Sequence, residues 1–230
     1  MTPAIAETSG ESVVYPDSDG QPMADNTLQF EWITTIKGNL DLLYADRADV
    51  FVAGDHLIYA VEGQPTVRQA PDVYVAFGRP KGHRGSYKVW EEDGVFPQVV
   101  FEVLSPGNRK KEMARKFLFY QGHGAREYYV IDPDRGRMRG SVAGAAGLED
   151  VPDMNGWVSP RLGIRFECGT DLNVYYPDGR RFLTFVELGQ LQAETARRLE
   201  REQQQTSLAR QRADRLAAKL RELGVDPDAP

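Results

Sequence analysis

The chain has 230 residues, 41% hydrophobic and 27% charged, which suits one ordinary domain with an appendage or two small domains. Its net charge of −6 argues against a protein that coats nucleic acid through overall charge, so phosphate contacts must come from local basic patches or bound divalent cations. The single cysteine, Cys168, excludes an intramolecular disulfide and argues against a cysteine-based zinc site.

Residues 1–26 are rich in Pro, Gly, Ser, Asp and Glu and lack the basic start and apolar stretch of a secretory signal. They read as a disordered N-terminal arm. No apolar run approaches the roughly 18 residues of a membrane span, so a soluble cytoplasmic protein with no membrane partner is expected. Phe30, Ile33, Ile36, Leu40 and Leu43 recur at three- and four-residue steps and predict a helix over 28–44, with Thr27 as its cap. The period then falls to two. Residues 49–53, a Gly54-Asp55 turn and residues 56–61 predict a hairpin, followed by strands at 72–77 and 98–104. The last of these is almost continuously apolar and predicts a central strand buried on both faces. Between the two strands lies a loop rich in glycine and basic residues, 78–86.

A helix over 109–121 carries Met113, Phe117 and Tyr120 on one face and ends at Gly122 and Gly124, and a strand at 127–131 follows. Helix, three strands, helix and strand predict an α/β (α+β) sandwich. The turn-rich strands of 135–184 are expected to extend the same sheet. From residue 187 the composition shifts to Ala, Leu, Arg, Glu and Gln, predicting a long C-terminal helix to 223. Its heptad seam is apolar at Ala209, Ala213, Leu216, Leu220 and Leu223 and interrupted at Gln192 and Glu202. A coiled coil that makes a homo-oligomer is one expectation, and a solvated helix lying on its own domain is the other. The predicted organisation is an arm (1–26), a core domain (27–186), a helix (187–223) and a tail (224–230).

The chemistry centres on two acids. Asp72 opens a strand after Pro71, and Glu102 lies inside Val-Val-Phe-Glu-Val-Leu. A carboxylate in such a run is costly unless paired or metal-bound, and two carboxylates brought together repel. A Mg²⁺ between them resolves both difficulties and suits oxygen ligands. Lys116, leaning back over Glu102 from the next helix, could orient water or stabilise charge on a phosphoryl transition state. Arg109, Lys110 and Lys111 suit phosphate contacts in nucleic acid. Plainer roles are open too: Asp72 as a turn cap, Glu102 as a structural partner of Lys116, and Lys116 as a partner of Glu112 one turn away. Glu31, on the first helix, is a possible additional carboxylate or a surface residue. The three histidines are isolated, with no spacing suited to zinc.

Ala-Pro-Asp72-Val-Tyr-Val, Val-Phe-Glu102-Val-Leu-Ser-Pro, Lys116 with Tyr120, and Gly-Ala-Arg-Glu127-Tyr-Tyr-Val-Ile-Asp occur in this order. Together they resemble the Uma-type family of bacterial restriction endonucleases, within the PD-(D/E)XK nuclease superfamily, over residues 28–185. The resemblance implies a restriction-endonuclease-like core, a central mixed sheet flanked by helices, with Asp72, Glu102 and Lys116 as catalytic residues. It implies Mg²⁺, with Mn²⁺ as a substitute, held by Asp72, Glu102 and a carbonyl at Val103, and DNA as substrate. Leu104 departs from the superfamily pattern, standing where the motif has its lysine, and Lys116 matches a substitute on the following helix. Two functions follow: a Mg²⁺-dependent nuclease hydrolysing DNA phosphodiester bonds, or a catalytically inactive nuclease-fold module acting through its C-terminal helix.

Overall fold

The computed structural model describes residues 13–18, 20–107, 110–169 and 172–223. The chain divides into two compact units between Phe182 and Leu183.

The first unit begins with helix α1, Thr27–Leu43. Asn26 caps it rather than Thr27: its backbone is extended and its Oδ1 accepts from the Gln29 N–H at 2.8 Å. The buried stripe runs through Gln29, Ile33, Ile36 and Leu40, while Phe30, expected on that face, is 48% exposed. Strands follow in the order β1 (Val50–Gly54), β2 (Ile58–Tyr59), β3 (Arg68–Gln69), β4 (Val73–Phe77), β5 (Tyr87–Lys88) and β6 (Val99–Val103). Helix α2 (Lys110–His123) leads to β7 (Glu127–Asp132), β8 (Arg137–Gly144), β9 (Gly147–Asp150), β10 (Arg165–Glu167) and β11 (Asn173–Tyr175).

The main sheet has the order β1-β4-β6-β7-β8-β9. Within it β6 and β7 run parallel and the other neighbours antiparallel, so the sheet is mixed. A parallel pair needs a crossover, which α2 supplies. The period of two sorts each strand's side chains between the flanking helices. Val73, Val75, Val99, Phe101 and Val103 join Ile33, Ile36 and Leu40 of α1 in one core. Tyr74, Ala76, Val100, Tyr128 and Val130 join Tyr120, Met113 and Phe117 of α2 in the other.

Two expectations about pairing are corrected. Residues 49–61 form no hairpin: β1 pairs along its whole length with β4, and Asp55, at φ 47°, turns the chain away. The short β2 instead joins β3 and β5 in a three-stranded sheet. The later strands extend the main sheet only as far as β9, whose last residues Glu149 and Asp150 are exposed charges that blunt a sheet edge. Strands β10 and β11 form a separate two-stranded sheet. Within the segment expected as an arm, Tyr15 packs edge-on against Tyr59, and Pro16 accepts a hydrogen bond from the Tyr59 hydroxyl at 2.6 Å. Residues 1–12 and 19 of that arm, and the 224–230 tail, lie outside the described residues.

The second unit contains helix α3, Phe185–Glu222, started by a reciprocal capping box between Thr184 and Glu187. None of its residues is buried. Among the described residues, no helix is long and apolar enough to cross a membrane.

Candidate active site

The register pairs Tyr74 with Val100 and Val73 with Phe101. Continued by one residue, it sets Asp72 opposite Glu102, and the alternation turns both side chains toward α2. Directly opposed residues have Cβ atoms about 4.5–5.5 Å apart. One further step would pair Val103 with Pro71, which has no N–H to give. Side chains take over there. The Val103 N–H donates to Asp72 Oδ2 at 2.5 Å, and the Val103 carbonyl accepts from Gln29 Nε2 at 2.8 Å.

Glu102 is 2% exposed. Its two oxygens are held from α2: Lys116 Nζ lies 2.7 Å from Oε2, and the Tyr120 hydroxyl donates to Oε1 at 2.7 Å. Lys116 and Tyr120 are four apart and share the helix face that meets the sheet. The ammonium also lies 3.4 Å from the Ala70 carbonyl. Lys116 therefore pairs with Glu102, and Glu112 acts on it only as a further charge. Leu104, at the motif's usual lysine position, packs with the apolar side chains on the α2 side of the sheet, the side from which Lys116 brings its ammonium.

The electrostatics follow from this crowding. Burial, and next the Glu102 charge, push the Asp72 carboxyl up to about 8, against Lys116 and the Val103 N–H. Asp55, whose N–H donates to the Asp72 carbonyl at 3.2 Å, adds a further negative charge. Burial pulls the Lys116 ammonium down, but the Glu102 and Asp72 charges outweigh it and leave the group above its ordinary value. Burial and the Glu102 charge hold the Tyr120 phenol well above its usual range.

The donor set fits a hard divalent cation. A carboxylate offers about four lone-pair positions; Glu102 uses two on Lys116 and Tyr120, and Asp72 accepts through Oδ2. The Val103 carbonyl accepts from Gln29 and keeps a second lone pair. Two carboxylates and a carbonyl are an all-oxygen set of the kind Mg²⁺ takes, with water completing the shell. Among the described residues no group of three or more Asp, Glu, His or Cys is placed to hold a metal. Glu31 in particular does not join the pair; it is exposed on α1.

Of the basic residues singled out, Arg109 lies outside the described residues, and Lys110 and Lys111 are exposed on the first turn of α2. Cations there oppose the helix dipole, so they do nothing for the helix itself. In the basic loop at 78–86 the two arginines are turned inward, while Lys81 and His83 are exposed. Arg79 and Arg84, each 13% exposed, both pair with Glu92, and Lys81 Nζ donates to the carbonyls of Tyr44 and Ala45 after α1. Tyr120 and Gln29 are the two site neighbours that the sequence did not single out for a role. The four-residue step from Lys116 was a signal for the first; nothing in the local pattern signalled the second.

The Uma2 family, described as "Putative restriction endonuclease", matches residues 20–152, more than half of the chain. Among solved structures, one described as a "putative nuclease belonging to DUF820" from Anabaena variabilis is similar at 12% identity and a TM-score of 0.45, covering 59% of this chain and 72% of that one. No curated protein matches the sequence.

Proposed function

From the premise that the chain belongs to the Uma2 family of restriction-endonuclease-type proteins, we propose that it is a divalent-metal-dependent nuclease that hydrolyses phosphodiester bonds in DNA. The observation that carries this reading is the row of Asp72 and Glu102 with Lys116 Nζ 2.7 Å from the second acid. Asp72, Glu102 and the Val103 carbonyl would hold Mg²⁺, or Mn²⁺ in its place. Such an ion would supply Lewis acidity toward water and the phosphoryl group.

The remaining work belongs to the chain. Tyr120 and Lys116 fix the Glu102 carboxylate from opposite oxygens, so it meets a cation in one orientation. The Lys116 ammonium stays charged beside the two acids and is the cation that can face the negative charge gathering on the phosphoryl group. Water adds to phosphorus, one ester P–O bond breaks, and the products are a phosphate monoester and a free sugar hydroxyl. Lys110 and Lys111, with Arg109, are the candidates for holding flanking phosphates. Helix α3 is read as the segment that joins two copies.

The test is DNA cleavage by the purified chain with Mg²⁺ or Mn²⁺. Asp72→Asn and Glu102→Gln keep shape and remove charge, and each should abolish divalent-dependent cleavage. A wild-type chain that binds neither ion and cuts no DNA overturns the reading.

A further inference from the structure

Gln29 is the most buried polar side chain of α1 after Asn39, at 6% exposure, yet it sits among Ile33, Ile36 and Leu40. A primary amide in that stripe is costly unless its donors and acceptor are matched. They are. The Asp25 N–H donates to Gln29 Oε1 at 2.8 Å, and Gln29 Nε2 donates to the Val103 carbonyl at 2.8 Å. The partners fix the orientation of the amide: a backbone N–H requires the oxygen and a backbone carbonyl requires the nitrogen, so a flipped side chain would lose both bonds. A second link runs parallel to the first, from the Ser105 hydroxyl to Asp25 Oδ2. The start of α1 is thereby fastened to the end of β6.

The need for Gln29 arises from Pro71. An ordinary residue there could have met the Val103 carbonyl with its own N–H and closed the ladder over it. Proline leaves that carbonyl to a side chain. A carbonyl held by one amide keeps its direction and a free lone pair, whereas one closed into a ladder lies between two strands.

We infer that Gln29 is a positioning residue for divalent-cation binding, holding the Val103 carbonyl so that its second lone pair completes the oxygen set begun by Asp72 and Glu102. This rests on the proposed metal-dependent reading and adds the first helix to the site. The role belongs to the amide and not to a carboxylate: a carboxylate at 29 would meet the carbonyl oxygen with a second negative oxygen.

The experiment is Mn²⁺ binding to the full chain, by calorimetry and by the loss of the free-ion resonance, alongside the thermal midpoint without metal. Gln29→Met keeps the volume and removes both amide bonds; its Mn²⁺ affinity should fall by about 10- to 100-fold, the usual effect of losing an outer partner of a metal site. Gln29→Glu keeps the acceptor for the Asp25 N–H, so it preserves the fold if Gln29→Met does not. It removes the N–H that holds the Val103 carbonyl and sets an anionic oxygen against it, so its Mn²⁺ affinity should also fall below that of the wild type. A folded Gln29→Met or Gln29→Glu that binds Mn²⁺ as tightly as the wild type does overturns the inference. If at the same time the wild type binds and Asp72→Asn does not, the metal-dependent reading stands without Gln29. If the wild type binds no Mn²⁺, both fall.

Discussion

Lys116 Nζ lies 2.7 Å from Glu102 Oε2, across the interface between α2 and β6, and not on Glu112 one turn earlier on its own helix. The pair is enclosed: the Lys116 side chain is 14% exposed and that of Glu102 2%. Breaking such a pair from one side strands a buried charge and costs about 3–5 kcal/mol. Lys116→Met should therefore lower the thermal midpoint in metal-free buffer. Added Mn²⁺ should recover more of the loss than it adds to the wild type, because a cation on Glu102 replaces the missing charge. The cleavage rate should fall by about 10²-fold or more, as for loss of one preorganised electrostatic group. Equal cleavage by Lys116→Met and wild type would remove the lysine from the chemistry even if the nuclease reading survives.

A second buried glutamate provides the contrast. Glu127 is as enclosed as Glu102, at 2% exposure, but its oxygens are taken by the Tyr129 and Ser159 hydroxyls and by the Arg161 N–H. No cation pairs with it among the described residues. Its partners tie the loop before β10 to the start of β7, which is a structural task. Glu127→Gln turns one acceptor into a donor facing donors and should cost about 1–3 kcal/mol of stability. Mn²⁺ affinity should stay at the wild-type value, whereas Glu102→Gln should lose it. A Glu127→Gln variant that folds normally but binds Mn²⁺ poorly would mean that Glu102 is not the buried acid that matters.

Glu102 was legible in the sequence because a charge in Val-Val-Phe-Glu-Val-Leu has so few ways to be satisfied. Lys116 and Asp72 were singled out by their order along the chain, and the register of β4 against β6 sets the two acids opposite each other. Gln29 was not, because its partner is a main-chain carbonyl freed by Pro71, and only the register of β4 against β6 reveals that. The same limit explains the false hairpin at 49–61. Both segments alternate, but local periodicity does not say that β1 will spend all five of its residues on β4. The pairing of Arg79 and Arg84 was not legible either, because Glu92, which gathers them, comes only after the loop has ended.

His56 supplies a pH dependence of its own. Its Nε2 lies 3.1 Å from the Arg84 carbonyl and its Nδ1 2.6 Å from the Tyr74 hydroxyl. The carbonyl can only accept, so the neutral ring carries its proton on Nε2 and takes the Tyr74 O–H at Nδ1. A second proton would replace that bond with two facing donors unless the phenol turned away. Burial, against the pull of the Arg84 carbonyl, holds the imidazole below its ordinary value. The unfolded chain then takes up a proton before the folded one does, so stability from this group is present above about pH 6.5 and is lost as pH falls below it. Thermal midpoints at about pH 7.5 and 5.5 should drop more steeply in the wild type than in His56→Gln. Parallel curves would show that the ring does not titrate differently on folding.

Helix α3 raises a question of burial. Its 38 residues include no buried side chain, and Leu199, Leu216 and Leu223 are 55%, 63% and 77% exposed. Helices hold mainly through an apolar face packed on something, and a fully solvated one depends on propensity and capping alone. The Thr184–Glu187 capping box secures only the first turn. The heptad steps through Ala209, Ala213, Leu216, Leu220 and Leu223 make one stripe, and each leucine withdrawn from water contributes about 1.5–3 kcal/mol. A second copy of the same helix offers the matching stripe. The full chain should therefore scatter light as a dimer or larger assembly, and its helical ellipticity should fall on dilution. Leu216→Lys with Leu220→Lys sets like charges against each other at the seam and should yield monomers whose core remains folded and still binds Mn²⁺. A wild-type chain that is monomeric at all concentrations, or a double variant of unchanged mass, would take the seam out of self-association and leave α3 as a solvated helix.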